Sequence, residues 1–231
     1  MGVIKALQER GIVPDVISGV SAGAIAGSLM SDGKTPEEAL KIMKGKSFFD
    51  YTRIQLPRQG FFSLKGLRKE LEKFFSVKRI EDLKTDFFVA VTNFNKGKVE
   101  YHNSGKLVDF VIASASIPVM FEPVKINEDL YVDGGLVDNL PAEPLKNICE
   151  KIIAVNLVPV LNTQNVGGLK NIISRTLDMA VNCKLPETEG VADIIISPPE
   201  LSRHDFFSTK KADEIFGVGY NYVKNLDVIF D

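Results

Sequence analysis

The chain has 231 residues, and its 28 lysine and arginine residues nearly balance its 30 aspartate and glutamate residues, for a formal charge of −2. This balance gives no general attraction to nucleic acid, and no apolar run reaches the roughly 18 to 20 residues that a membrane-spanning helix requires. The two cysteines, Cys149 and Cys183, are too few for a disulfide framework or a zinc site. No cofactor is expected for this chain.

Helix-like and strand-like patterns alternate along the chain. The predicted helices cover residues 3–10, 22–30, 64–75, 107–115, 168–183 and 208–226, and another begins at Thr35. The predicted strands cover residues 16–20, 87–94, 98–103, 130–132, 152–158 and 194–197. This alternation, which no linker interrupts, predicts a single α/β domain over residues 1–231. The expected architecture is a three-layer α/β/α fold with a mostly parallel central sheet.

The first predicted strand leads directly into Gly19-Val20-Ser21-Ala22-Gly23, a G-x-S-x-G pattern. A serine raised above a sheet needs a sharp turn from strand to helix, and the small residues Gly19, Ala22 and Gly23 relieve crowding there. The backbone N–H groups that begin the next helix would face the serine and stabilise a developing oxyanion. Because five residues also match by chance, an ordinary tight turn with a capping serine is the alternative at this point.

A serine hydroxyl is a poor nucleophile without a base, and the chain offers few bases. Its two histidines, His102 and His204, fall in a predicted hairpin strand and in a polar segment, where structural or solvated roles are more common. Asp133 follows the predicted strand 130–132 and precedes Gly134 and Gly135, which permit unusual backbone angles. Asp-Gly is also a common turn signal, so a plain turn is the alternative for this segment taken alone.

Three sequence blocks together resemble the patatin-like phospholipase family, and the likeness extends from residue 2 to about residue 158. The blocks are Ile17 to Ala24 around Ser21, Ala113-Ser114-Ala115-Ser116-Ile117-Pro118-Val119-Met120-Phe121-Glu122-Pro123-Val124, and Asp133-Gly134-Gly135-Leu136-Val137-Asp138-Asn139-Leu140-Pro141. The resemblance implies a patatin-like fold and a catalytic dyad in which Ser21 attacks and Asp133 is the base, within about 3 Å of the hydroxyl. It also implies hydrolysis of lipid acyl esters through an acyl-enzyme, without a metal.

The chain departs from the family pattern at its start. The family carries a glycine-rich loop, G-G-G-x-R/K-G, before its first helix, and the backbone N–H groups of that loop form the oxyanion hole. Met1 falls where the loop should already be complete, so the first strand and the loop are missing from this sequence. We expect either a shortened product of a longer active protein or a degenerate, poorly catalytic relative. A missing central strand would also expose a sheet edge and favour a homo-oligomer.

Residues 47–62 interleave aromatic side chains with Arg53 and Arg58. They predict either a flap that contacts a lipid surface or ordinary core beneath a loop. The expected partners are an acyl-ester or lipid substrate and a peripheral membrane surface, with no nucleic acid. Scarce cysteines and an N-terminus without a signal-peptide pattern favour a cytoplasmic location.

Two other functions stay open from the sequence. One is a catalytically impaired lipid-binding or interaction protein on the same scaffold, which the missing glycine-rich loop suggests. The other is a conventional α/β-hydrolase that uses Ser21, Asp133 and His204, because these residues follow the chain order of the triad in that fold.

Overall fold

The computed structural model of the chain describes residues 1–44, 53–54, 62–157, 190–203 and 211–226, and the isolated positions 168, 172, 175–176, 179, 181 and 187–188. Its helices are α1 (Gly2–Glu9), α2 (Ala22–Ser31), α3 (Pro36–Lys44), α4 (Lys65–Phe74), α5 (Leu107–Ser114) and α6 (Ala212–Lys224). Its strands are β1 (Val16–Gly19), β2 (Arg53–Ile54), β3 (Phe62–Ser63), β4 (Asp86–Asn93), β5 (Lys98–His102), β6 (Val124–Ile126), β7 (Asp129–Asp133), β8 (Ile153–Val155) and β9 (Ile194–Ile196). The helix predicted over residues 168–183 and the flap predicted over residues 47–62 lie largely outside the described residues.

Local sequence signals explain where several helices begin and end. At the start of α3, the N–H of Thr35 donates to Glu38 Oε2 at 2.9 Å and the N–H of Glu38 donates to Thr35 Oγ1 at 3.2 Å. This reciprocal capping box satisfies two donors that have no partner inside the helix. Helix α1 ends at Glu9, and Gly11 follows it with φ 81°, a backbone angle that glycine adopts without strain.

The central sheet is organised around strand β4, whose two edges are occupied differently. Strand β5 pairs with β4 along Val89–Asn93 on one edge. On the other edge β1 runs parallel to β4 and ends with the pair Gly19–Val89, while β7 runs antiparallel and ends with the pair Asp133–Val91. Strands β1 and β7 therefore approach each other end to end along a single edge of β4. Ala90 lies between their last pairs.

The predicted α/β architecture is confirmed, and the strand directions within it are mixed. The parallel pairs are β1–β4 and β8–β9. Each pair is joined by a long stretch of chain, which between β1 and β4 contains α2, α3 and α4. The pairs β4–β5 and β6–β7 are antiparallel because each is a hairpin with a short connection. The turns of these hairpins contain Gly97 at φ 65° and Asn127 at φ 55°.

Two apolar clusters hold the helices against the strands. In the larger one, α2 and α5 cover the face of β4 that carries Phe87, Val89 and Val91. The smaller cluster joins α1 and α6 to β9. No helix among the residues that the structure describes has both the length and the apolar character needed to cross a bilayer.

Candidate active site

The predicted nucleophile and the predicted base both lie at the junction of β1 and β7. Ser21 follows the last residues of β1 and precedes α2, and Asp133 is the last residue of β7. Because the two strands end on either side of Ala90 on the same edge of β4, their final residues are brought together from distant parts of the sequence. The sheet thus forms the scaffold of the site.

Ser21 lies in a strained turn. Its φ is 51° and its ψ is −122°, an uncommon conformation for a residue that is not glycine. Strain of this kind costs about 1–3 kcal/mol and persists only where the surrounding structure enforces it. The turn is also tight, because a Cβ atom on Gly19 would lie 2.6 Å from the carbonyl oxygen of Gly23, so position 19 requires glycine. The G-x-S-x-G pattern therefore forms the strand-to-helix turn that the sequence predicts.

The carboxylate of Asp133 is buried, with 5% of the residue exposed. Its Oδ1 accepts a hydrogen bond from the N–H of Gly135 at 2.8 Å, while Oδ2 has no hydrogen bond of ordinary geometry among the described residues. Burial raises the pKa of Asp133 to about 6, and the neighbouring Ser21 hydroxyl and Gly135 N–H act in the opposite direction. Ser21 therefore lies beside Asp133 in a contact looser than an ordinary hydrogen bond, as is common in sites without substrate.

The glycines after Asp133 permit close packing against β4 and the serine turn. A Cβ atom on Gly134 would lie 2.4 Å from the carbonyl oxygen of Ala90 and 3.0 Å from Val20 Cγ2. A Cβ atom on Gly135 would lie 3.0 Å from Asp133 Oδ1. Since backbone atoms cannot yield at 2.4 Å, only glycine fits at position 134.

The first turn of α2 supplies backbone donors beside the serine. The N–H groups of Ala22 and Gly23 have no acceptor within the helix, as at any helix start. The N–H of Ser21 itself is occupied, because it donates to Ser114 Oγ at 2.9 Å. Helix starts favour negative charge, so Ala22 and Gly23 are the local donors available to an oxyanion.

The two histidines do not complete a triad in the described residues. His102 lies on β5 against Glu100 and Phe110, with its Nε2 3.3 Å from Glu100 Oε2 and its ring stacked on Phe110 at 4.2 Å between centroids. Burial lowers the pKa of His102, which keeps the ring neutral at pH 7. His204 lies outside the described residues.

A separate cavity of about 250 Å³ lies beyond the Asp133 loop. Its lining consists of Tyr101, Asp138, Glu143, Glu187, Thr188 and Val191. Asp138 is already satisfied there, because it accepts hydrogen bonds from the Tyr101 hydroxyl and the Leu140 N–H. In the part of the chain that the structure describes, no three His, Cys, Asp or Glu side chains converge to hold a metal ion.

Three hydrogen bonds made by the end of α5 and the residues just after it were not predicted from the sequence. Ser114 Oγ donates to the carbonyl oxygen of Ala90 at 2.7 Å while it accepts the N–H of Ser21. The carbonyl oxygen of Ser116 accepts the N–H of Asp133 at 2.9 Å. The available signal was a serine within the otherwise apolar segment 110–115, but nothing in that pattern identifies its partners.

Comparisons with known proteins find a matching family and several relatives. The model of a family described as patatin-like phospholipase matches residues 1–146. Among curated proteins, the lysophospholipase nte1 of Aspergillus niger is 25% identical over an alignment of 260 positions, which covers 97% of this chain and 17% of the relative. The lysophospholipase NTE1 of Chaetomium globosum is 26% identical over 254 residues, again 17% of the relative. The chain thus spans about a sixth of the length of these relatives.

A solved structure is similar as well. VipD from Legionella pneumophila superposes with a TM-score of 0.56 at 16% identity, and the match covers 96% of this chain and 63% of that one. At this identity the likeness shows the fold alone, and it agrees with the mixed α/β architecture described above.

Proposed function

Because this chain belongs to the patatin-like phospholipase family, we propose that it is a serine acyl hydrolase that cleaves lipid acyl esters through a dyad of Ser21 and Asp133. The observation that carries the proposal is the meeting of β1 and β7 at Ala90, which brings a strained serine beside a buried carboxylate. A carboxylate whose pKa is about 6 is a better base than one at the usual value near 4.

In the proposed reaction, the Ser21 hydroxyl attacks the acyl carbonyl carbon and Asp133 takes its proton. The resulting oxyanion is stabilised by the N–H groups at the start of α2. Collapse of the tetrahedral intermediate expels the alcohol, which receives the proton from Asp133, and leaves an acyl group on Ser21. Water then attacks the acyl-enzyme by the same route, releasing the fatty acid and restoring the serine.

The names of the fungal relatives suggest a substrate class. They are lysophospholipases, so we propose a phospholipid with a single acyl chain as the preferred substrate. Hydrolysis of 1-palmitoyl lysophosphatidylcholine should then exceed that of dipalmitoyl phosphatidylcholine in kcat/KM. Equal kcat/KM values for the two lipids would be compatible with the proposed hydrolase but would contradict a preference for lipids with one acyl chain.

The test of the dyad is hydrolysis of p-nitrophenyl butyrate by matched variants. Ser21→Ala should reduce turnover to the background rate, and Asp133→Asn should reduce kcat by about 10²- to 10⁴-fold, the usual contribution of a general base. The controls are Ser28→Ala, a buried serine later in α2, and Asp129→Asn, at the opposite end of β7. Both controls should keep the wild-type rate. Turnover by Ser21→Ala equal to wild type would reject catalysis by Ser21, and if both rates equal the background it would favour a lipid-binding role.

A further inference from the structure

The C-terminal turn of α5 contacts the backbone of both proposed dyad residues. Ser114 Oγ accepts the N–H of Ser21 at 2.9 Å, and two residues later the carbonyl of Ser116 accepts the N–H of Asp133 at 2.9 Å. Ser114, the last residue of α5, and Ser116, two residues beyond it, are essentially inaccessible to solvent, at 0% and 1% exposure. One short segment therefore connects the two strand ends that the sheet leaves unjoined.

The Ser114 hydroxyl acts both as a hydrogen-bond donor and as an acceptor in this arrangement. It donates to the carbonyl oxygen of Ala90 at 2.7 Å and at the same time accepts from Ser21. Ala90 is the β4 residue between the last pair of β1 and the last pair of β7, so among the described strands it has no partner residue on that edge. The hydroxyl thus replaces a missing ladder contact and fixes the turn relative to the sheet.

We propose that Ser114 is a positioning residue for the nucleophile: its hydroxyl ties the Ser21 N–H to the Ala90 carbonyl, holds the strained turn, and leaves the Ala22 and Gly23 N–H groups for the oxyanion. This inference rests on the proposed function, because it assigns a role to Ser114 within that site. Ser114 touches no reacting atom, and it acts through the backbone of Ser21.

The structure also supplies a matched comparison. Ser28 is fully buried like Ser114, but its hydroxyl donates to the Ile25 carbonyl within its own helix at 3.1 Å. Loss of that hydroxyl removes a buried hydrogen bond without releasing the serine turn. Ser28→Ala therefore measures the effect of losing a buried serine hydroxyl that has no contact with the serine turn.

The first measurement is amide hydrogen exchange of peptides that contain Ser21, in wild type, Ser114→Ala and Ser28→Ala. Ser114→Ala should accelerate exchange in the segment 16–25, whereas Ser28→Ala should not release the Ser21 amide. This readout does not depend on turnover. Unchanged exchange in Ser114→Ala overturns the proposal even if the protein proves to be a good esterase.

The second measurement is the rate of covalent labelling by a fluorophosphonate, together with kcat and KM on p-nitrophenyl butyrate. Ser114→Ala should lower the labelling rate and kcat by about 10- to 100-fold at unchanged KM, since small displacements of a reacting group have effects of this size. Ser114→Thr keeps the hydroxyl and should recover most of the rate. An equal loss in Ser28→Ala, or no recovery in Ser114→Thr, contradicts a positioning role.

Two further outcomes remain interpretable. If Ser114→Ala does not fold, Ser114→Cys keeps a similar volume with a much weaker donor and should show the same faster exchange and slower labelling. If wild type is neither labelled nor active, the proposed hydrolase fails, while the exchange comparison still decides whether Ser114 holds the turn.

Discussion

Asp133 has an environment that should make the proposed activity depend on pH. Burial raises its pKa to about 6, so the carboxylate is charged and able to act as a base only above that pH. We expect kcat/KM for a neutral ester to rise through about pH 6 and to level off by about pH 8. If kcat/KM is constant between pH 5 and pH 8, Asp133 is not the base in the rate-limiting proton transfer.

The same carboxylate should lower the stability of the protein at neutral pH. Its pKa is about 6 when folded and near 3.8 when unfolded, so between these values the folded state binds more protons than the unfolded state. The contribution of Asp133 to stability therefore falls as the pH rises through this window, by about 3 kcal/mol in total. Asp133→Asn should be more stable than wild type in urea at pH 8 and should lack this dependence.

Asp138 provides the contrast for that measurement. It is buried like Asp133, with 4% exposure, but both of its oxygens accept hydrogen bonds, from Tyr101 and from Leu140. Asp138→Asn should therefore destabilise the protein, by about 1–3 kcal/mol, because it disturbs satisfied buried bonds. Stabilisation by both substitutions, or by neither, would show that the unsatisfied Asp133 oxygen is not the cause.

At the scale of elements, the close packing of α1 against α6 depends on glycine at one position of α6 and not at another. A Cβ atom on Gly219 would lie 3.2 Å from Val3 Cγ2, whereas a Cβ atom on Gly217 would have no neighbour within 4 Å. Gly217→Ala should stabilise the protein by about 0.5–1 kcal/mol, because alanine favours the helix. Gly219→Ala should not stabilise the protein, and it should destabilise it if Val3 cannot move away from the added methyl group. Equal shifts in the urea midpoint would contradict close packing at Gly219.

Most elements were predictable because their signals are local. The capping box at Thr35 and Glu38, the hairpin at Gly97 and the apolar periodicity of α4 each lie within a few neighbouring residues. The strand directions were less predictable, since hairpins put antiparallel strands into a sheet that the alternation of helices and strands indicated as mostly parallel.

The candidate site divides in the same way. Ser21 and Asp133 were identifiable because each belongs to a motif with its own turn chemistry, and the structure places them side by side. The roles of Ala90 and Ser114 were not identifiable, because they depend on contacts between distant segments. The strain at Val119, where φ is 72° in an exposed β-branched residue, likewise has no local sequence signal.

At the scale of the whole molecule, the proposed dyad depends on the sheet more than on either motif. The predicted single domain over residues 1–231 and the predicted homo-oligomer stay predictions. The three segments that build the site come from residues 16–21, 89–91 and 129–135, and each is anchored by separate ladder bonds. Neither motif alone can therefore generate the chemistry.

The end-to-end arrangement of β1 and β7 also bears on how the protein acquires its activity. A shift of either strand by one residue along β4 would move its terminal residue by about 3.3 Å and turn alternate side chains to the opposite face. During refolding, helices built from local contacts can form early, whereas two distant strands must each find the correct alignment on the same template. Esterase activity should consequently return later than helical circular dichroism, as one of the last properties to recover.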